Sequence, residues 1–140
     1  MTQTVRLDAL RQVGLFNGVS KRSLILVDRL STLRTVPAGE AIVTQGDSGS
    51  DMMIVLHGSA AVTRGTRKVG TLGPGQVFGE MSLLDNEPRS ATVTALEPTQ
   101  MLVVHGPAFR KLLTKVPGLT DAVLATLCQR LRDAHAAADL

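Results

Sequence analysis

The stretch FGEMSLLDNEPRSATV, residues 78–93, joins a short predicted helix to an arginine and a predicted strand. Gly79 allows the backbone to turn sharply, and Glu80 begins a run of mostly good helix formers. The first amides of a helix have no partner inside it, so this helix N-terminus favours an anion. Residues 85–88, Asp-Asn-Glu-Pro, then end the helix because Asp and Asn favour turns and a proline disfavours the α conformation before it.

Arg89 follows that turn directly, and residues 90–95 alternate small or apolar residues with hydroxyl residues. The alternation predicts a strand with Arg89 at its start, facing the helix N-terminus across a short loop. Arginine binds phosphate through two parallel hydrogen bonds, and Glu80 can accept hydrogen bonds from the hydroxyls of a sugar. The alternative is an ordinary surface ion pair between Arg89 and its neighbours Asp85 or Glu87.

These residues resemble the phosphate-binding cassette of the cyclic nucleotide-binding domain, a module of protein kinase regulatory subunits, catabolite-activator-type transcription factors and gated channels. The family pattern, F-G-E-(L/M)-(A/S)-L followed by (P)-R-(A/S/T)-A-(T/S)-V, is present in full, and the resemblance extends from about residue 10 to residue 131. It implies that Arg89 binds the cyclic phosphate, that Glu80 binds the ribose 2′-hydroxyl, and that backbone amides around Ser82 and Ala91 contact further phosphate oxygens. The implied ligand-binding residues are Gly79, Glu80, Met81, Ser82, Arg89, Ser90 and Ala91.

The resemblance also implies a cyclic nucleotide as the ligand, with cAMP favoured over cGMP. Ser90 follows the arginine, where cGMP-selective members more often have threonine. The last helix is expected to close over the base as a hydrophobic lid, or to pair with its copy in a homodimer. Family members often stack an aromatic side chain of this helix on the base, and the predicted helix here has none. The lid candidates are Leu124, Leu127 and Leu131, with Arg130 or Arg132 as a cation over the ring.

Length and composition predict a single globular domain, residues 1–140, with 44% hydrophobic and 19% charged residues. No apolar run approaches the roughly 18 residues that cross a bilayer, and the N-terminus lacks the apolar core of a signal peptide, so we expect a cytoplasmic protein without a membrane partner. The net charge of +3 is scattered, and the absence of Trp and Tyr disfavours nucleic-acid binding. Cys128 lies in an apolar helical stripe, which predicts a buried thiol.

The order of patterns predicts a mainly β fold: an antiparallel β-barrel or jelly roll of about eight short strands, with N-terminal helices and two C-terminal helices. Residues 5–32 form the N-terminal helices, the first ending near Gly14 and the second capped by Ser20. Residues 33–105 form the barrel and contain the cassette, and residues 107–138 form a hinge helix and a lid helix. The predicted strands are residues 33–36, 41–44, 52–57, 60–64, 67–72, 92–96 and 101–104, and the C-terminal helices are residues 107–115 and 120–132.

Small barrels also house metal enzymes, whose sites need several convergent histidines and carboxylates. His57, His105 and His135 lie on three different predicted elements, and the chain carries no nucleophile elbow or phosphate-binding loop. We therefore expect no metal site and no enzyme. Two functions remain: a regulatory sensor domain whose effector is unknown, and a scaffold of the same fold that binds no ligand and serves interaction or dimerisation. An arginine opposite a helix N-terminus favours the sensor.

Overall fold

Two four-stranded antiparallel sheets face each other in the computed structural model, which describes residues 1–138. The strands are β1 (Thr32–Val36), β2 (Ala41–Val43), β3 (Asp51–His57), β4 (Ala60–Arg64), β5 (Arg67–Leu72), β6 (Val77–Phe78), β7 (Thr92–Ala95) and β8 (Thr99–His105). One sheet has the order β1-β8-β3-β6 and the other the order β2-β7-β4-β5. The predicted jelly roll of about eight short strands is confirmed.

Helices precede, interrupt and follow the strands. They are α1 (Gln3–Arg11), α2 (Lys21–Leu30), α3 (Glu80–Asp85), α4 (Gly106–Lys115) and α5 (Leu119–Ala138), with a short 3-10 helix at Gly14–Phe16. Ser20 caps α2 as predicted, because its side chain accepts a hydrogen bond from the Ser23 amide. An ion pair from Arg6 Nε to Asp28 Oδ1, 2.6 Å long, ties α1 to α2. Within residues 1–138, none of the helices combines the length and the apolar character that crossing a bilayer requires.

Strands β3 and β8 of the first sheet are buried on both faces, because helices cover one face and the second sheet covers the other. Met52 and Ile54 of β3 point toward the helices, whereas Met53 and Val55 point between the sheets. Strand β8 alternates in the same way. The second sheet buries its inner face alone.

Several predicted boundaries were wrong, and one strand was missed. The first helix ends at Arg11 rather than near Gly14, because the chain leaves the helix at Gln12 and buries Phe16 through the 3-10 turn instead. Strand β6 was not predicted, since two residues carry no periodicity. Helix α5 continues past residue 132 to Ala138, as its alanines are the strongest helix formers.

The predicted burial of Cys128 was also wrong, since this thiol is exposed. Helix α5 packs on the core through its first turns, where Leu119 and Val123 are buried. Leu124, next to Val123 in sequence, faces away from the core and is 55% exposed, and Leu131, farther along the helix, is 60% exposed. The apolar stripe of α5 is therefore only partly used for packing in this chain.

Candidate ligand-binding site

Helix α3 begins where the sequence predicts because Gly79 adopts a left-handed conformation, with φ at 87°. A Cβ on Gly79 would lie 2.6 Å from the carbonyl oxygen of Asp51 and 2.7 Å from Nη1 of Arg89. Glycine is thus required both by the backbone conformation and by the space around it. The helix ends at Asn86, which is also left-handed and donates its amide to the carbonyl of Ser82.

Arg89 lies in the loop after α3, three residues before β7 begins, rather than at the start of a strand as predicted. The loop between β2 and β3, residues 44–50, holds it by backbone hydrogen bonds. The Arg89 amide donates to the Asp47 carbonyl over 2.8 Å, and the Gly46 amide donates to the Arg89 carbonyl over 2.9 Å. This tertiary pairing replaces the strand hydrogen bonds that sequence alternation indicated.

The Arg89 side chain is buried, with 6% of its surface exposed. Nη1 donates to the carbonyl oxygens of Asp51 over 3.0 Å and of Gly79 over 3.2 Å. Gly49 packs directly against the guanidinium, since a Cβ there would lie between 2.4 and 2.7 Å from three of its atoms. Burial lowers the pKa of Arg89, and the negative charge of Asp51 partly offsets that effect.

The surface ion pair that the sequence left open does not form among residues 1–138. No carboxylate of this part of the chain lies within ion-pair distance of Arg89, and Asp85 and Glu87 are exposed. The arginine is therefore a buried cation held by backbone carbonyls, which carry only partial charges. A buried guanidinium of this kind is able to bind an anion through charged hydrogen bonds.

A cavity of about 670 Å³ opens beside Arg89, between the second sheet and α5. All of the predicted ligand-binding residues line it: Gly79, Glu80, Met81, Ser82, Arg89, Ser90 and Ala91. Its volume lies in the range of small-molecule sites. Apolar side chains of the second sheet, Val43, Val62, Leu72 and Val93, line one wall of the cavity.

The C-terminal helix supplies the opposite wall. Leu127 and Leu131 of the predicted lid line the cavity, together with Arg130 and Ala134. Leu124 points elsewhere, and Arg132 is exposed and does not line the cavity. The helix therefore stands over the cavity in this structure, with one cation and a set of apolar side chains facing the sheet.

Glu80 and Arg130 form an ion pair across this cavity, from Oε1 of the glutamate to Nη1 of the arginine. The Glu80 side chain is 8% exposed, whereas that of Arg130 is 46% exposed. Apart from this pair, neither carboxylate oxygen has a hydrogen-bond partner within residues 1–138. Burial lowers the pKa of Arg130. The pair links the start of α3 directly to α5.

Sequence reasoning missed several groups around the site. The carbonyl of Asp51 and the close approach of Gly49 depend on how the 44–50 loop folds against Arg89, and only the glycine itself is visible in the sequence. Arg64, at the end of β4, also lines the cavity. It continues the inward face of Ala60 and Val62, so strand alternation was the signal that could have found it.

The histidines do not come together. His105 Nδ1 lies 2.8 Å from Asp51 Oδ1 at the surface. No three His, Cys, Asp or Glu side chains among residues 1–138 form a group that could hold a metal ion.

The sequence profile of the cyclic nucleotide-binding domain matches residues 33–116, which includes seven strands, α3 and α4 in full. The chain belongs to the cyclic nucleotide-binding domain family. The predicted resemblance is thereby confirmed.

Relatives of this family differ widely in their overall organisation. The chain is 38% identical over 118 residues to a cyclic nucleotide-gated potassium channel of Mesorhizobium japonicum, covering 84% of this chain and 33% of the channel. It is 34% identical over 131 residues to the cyclic AMP receptor protein of Thermus thermophilus, covering 90% of this chain and 61% of the receptor. The crystal structure of the Thermus thermophilus catabolite activator protein superimposes with a TM-score of 0.85 at 34% identity, covering 90% of this chain and 62% of that one. The chain thus spans less than two thirds of each of these proteins.

Proposed function

We propose that the cavity binds a cyclic nucleotide, cAMP in preference to cGMP. Arg89 binds the cyclic phosphate through charged hydrogen bonds, and Glu80 accepts a hydrogen bond from the ribose 2′-hydroxyl. Gly79 permits the close approach, Met81, Ser82, Ser90 and Ala91 surround the phosphate, and the apolar walls hold the purine. The cAMP preference rests on Ser90 and on the likeness to a protein named as a cyclic AMP receptor.

One observation carries this proposal: a buried arginine lines a cavity whose lining also includes many apolar side chains. Nη1 donates to two neutral carbonyls, and no carboxylate among residues 1–138 forms an ion pair with the guanidinium. A phosphate ester of a sugar and an apolar ring system matches both ends at once. The residues present therefore fit a nucleotide with its phosphate toward Arg89.

The matching experiment is calorimetric titration of the chain with cAMP and with cGMP. We expect saturable one-to-one binding with cAMP the tighter ligand. Arg89→Ala should weaken cAMP binding about 30-fold or more, because the phosphate loses a charged partner worth about 2 kcal/mol. Arg22→Ala, an exposed arginine on α2, should leave affinity unchanged. Absence of binding by the unaltered chain at millimolar concentrations of both nucleotides would exclude the proposal.

We further propose that the chain is one regulatory domain, cytoplasmic and without catalytic activity, in which binding changes the position of α5. Helices α4 and α5 meet at residues 116–118, where Gly118 is left-handed and the helical hydrogen-bonding is interrupted. Leu127, Arg130 and Leu131 extend from α5 into the cavity, so the ligand and the helix share a surface. A ligand that binds more tightly when α5 is in one position increases the fraction of molecules in which α5 has that position.

Hydrogen exchange tests this movement. With saturating cAMP, protection of amides in residues 107–135 should change, while that in β3 and β8, buried on both faces, should stay constant. Unchanged protection in residues 107–135 at saturation would mean that binding is not transmitted to α5.

The scaffold remains a second candidate because α5 exposes Leu124 and Leu131, which favours pairing of this helix with its copy in a homodimer. Sedimentation of the chain with and without cAMP separates the two. A dimer that forms equally well without ligand, in a chain that binds no nucleotide, would support the scaffold. A nucleotide-binding chain supports the sensor whether or not it is dimeric.

A further inference from the structure

The contact between Glu80 and Arg130 bears on whether the site distinguishes a ribonucleotide from a deoxyribonucleotide. Because Glu80 is also the proposed acceptor for the ribose 2′-hydroxyl, this inference rests on the proposed function. In the structure the carboxylate is already paired with a guanidinium from α5. Both of its oxygens have almost no accessible surface. A hydroxyl must come within about 2.8 Å of one of these oxygens to donate to it, and it cannot reach an oxygen that water cannot reach.

We propose that Arg130 competes with the ribose 2′-hydroxyl for Glu80, and that this competition sets how strongly the site discriminates ribonucleotides from deoxyribonucleotides. Burial decides which partner moves. Glu80 is held within the wall of the cavity at 8% exposure, whereas nearly half of the Arg130 side chain is in contact with solvent. The arginine can therefore turn outward into water, and the carboxylate cannot follow it.

The exchange of partners limits what the hydroxyl contributes. A buried carboxylate without a partner is costly, and Arg130 supplies that partner before the nucleotide arrives. When the 2′-hydroxyl replaces Arg130 as the partner of Glu80, one ion pair is lost and one charge-assisted hydrogen bond is gained. The net gain from the hydroxyl is small, so affinities for the ribo and deoxyribo forms differ little while Arg130 is present.

The opposite role for Arg130 is also testable. An arginine that stays on Oε1 and orients Glu80 would help the hydroxyl to reach Oε2. The structure favours competition because Arg130 contacts Oε1 and neither Oε1 nor Oε2 has accessible surface while α5 is in this position. The two roles predict changes of opposite sign when the guanidinium is removed.

The test compares cAMP with its 2′-deoxy analogue on the unaltered chain and on Arg130→Met, which keeps an apolar side chain of similar length. In the unaltered chain we expect the two dissociation constants to differ by less than about threefold. In Arg130→Met the hydroxyl no longer displaces a partner, so cAMP should bind more tightly and the difference should exceed about tenfold. The ratio of the two affinities is the readout, because any contact that Arg130 makes with the rest of the nucleotide is common to both ligands and cancels in that ratio.

Controls separate this effect from structural damage. Arg132→Met removes an exposed guanidinium two residues along the same helix and should leave both affinities unchanged. Saturable binding of the deoxy analogue by Arg130→Met shows that the cavity is intact. Adding Glu80→Gln to Arg130→Met should bring the ribo and deoxyribo affinities back together, since the hydroxyl then loses its charged acceptor.

The outcomes distinguish this inference from the proposed function. Binding of the deoxy analogue by the unaltered chain, and its loss in Arg89→Ala, tests the phosphate site alone. If both nucleotides bind and the ratio of affinities stays constant or falls in Arg130→Met, competition is wrong and the proposed function stands. If neither nucleotide binds to any variant, the proposed function fails and the competition fails with it.

Discussion

At one end of the cavity, backbone atoms of three segments hold Arg89 in place; at the other, side chains of α5 stand over the sheet with much of their surface in solvent. The arginine is 6% exposed, and Leu131 is 60% exposed. The first end is pre-organised before a ligand arrives, because carbonyls and glycines cannot rearrange without unfolding the loop around them. The second end is built from one helix beyond a hinge, and its contacts can be remade.

This difference suggests a division of roles. Pre-organised charge supplies binding energy at little entropic cost, so we expect affinity to be concentrated at Arg89. Each apolar contact of α5 contributes less to the affinity. A sensor can transmit ligand binding through the rearrangement of these contacts. Substitutions at the two ends should therefore differ in size and in kind.

The largest effect is expected for Gly79→Ala at the phosphate end. The new Cβ would meet the Asp51 carbonyl and the Arg89 guanidinium at a left-handed φ that alanine disfavours. We expect a loss of about 3 kcal/mol in the free energy of unfolding in urea, and cAMP binding weakened about 30-fold or more because Nη1 of Arg89 must move.

Gly39→Ala is the matched control for that variant. Gly39 has nearly the same φ, 86°, but no atom lies within 4 Å of the position of its Cβ. The substitution should cost about 1 to 2 kcal/mol of stability from backbone strain and leave cAMP affinity unchanged. Equal effects of the two alanines on binding would show that crowding at Arg89 is unimportant.

The same contrast explains what the sequence could predict. Gly79, Glu80 and Arg89 lie within one short stretch, and a turn, a helix start and a nearby arginine are all local properties of that stretch. Their convergence on one cavity was therefore visible in the pattern of residues. The jelly roll was visible for a similar reason, since alternation and turn residues mark short strands wherever they occur.

The remainder depends on tertiary packing. Whether Arg89 pairs with a strand or with the 44–50 loop is decided by contacts between segments about 40 residues apart along the chain. Cys128 lies in an apolar stripe of the sequence, as a buried residue would. Its exposure follows only from where α5 leaves the core. The sequence does not show whether Glu80 pairs with Arg130, with Arg132 or with neither arginine of α5. Helical periodicity does not fix how the helix is rotated relative to the sheet.

An intermediate effect is expected for Leu127→Ala at the base end. Leu127 lines the cavity and packs in part against the helical core. Losing its apolar contact with the purine should weaken cAMP binding about three- to fivefold, equivalent to about 1 kcal/mol. Leu124→Ala, which shortens an exposed leucine of the same helix outside the cavity, should leave the affinity unchanged in calorimetric titration. A loss as large as that of Arg89→Ala would contradict the unequal division between the two ends.

The smallest effect is expected for Ser90→Thr, at the boundary between the two ends. Ser90 lines the cavity beside Arg89, yet its side chain is exposed and free to rotate. Threonine is β-branched and restricts rotation about its first side-chain bond, so its hydroxyl spends more time in one orientation. If that orientation faces the purine, the cGMP affinity should rise about two- to threefold while the cAMP affinity stays the same, because the amino group of guanine offers a donor that adenine lacks at that edge.

Ser48→Thr makes the same chemical change in the 44–50 loop, outside the cavity, and should alter neither affinity. Equal gains for both nucleotides would place the hydroxyl on the phosphate, and the preference for cAMP would then have to come from the walls formed by the sheet and α5.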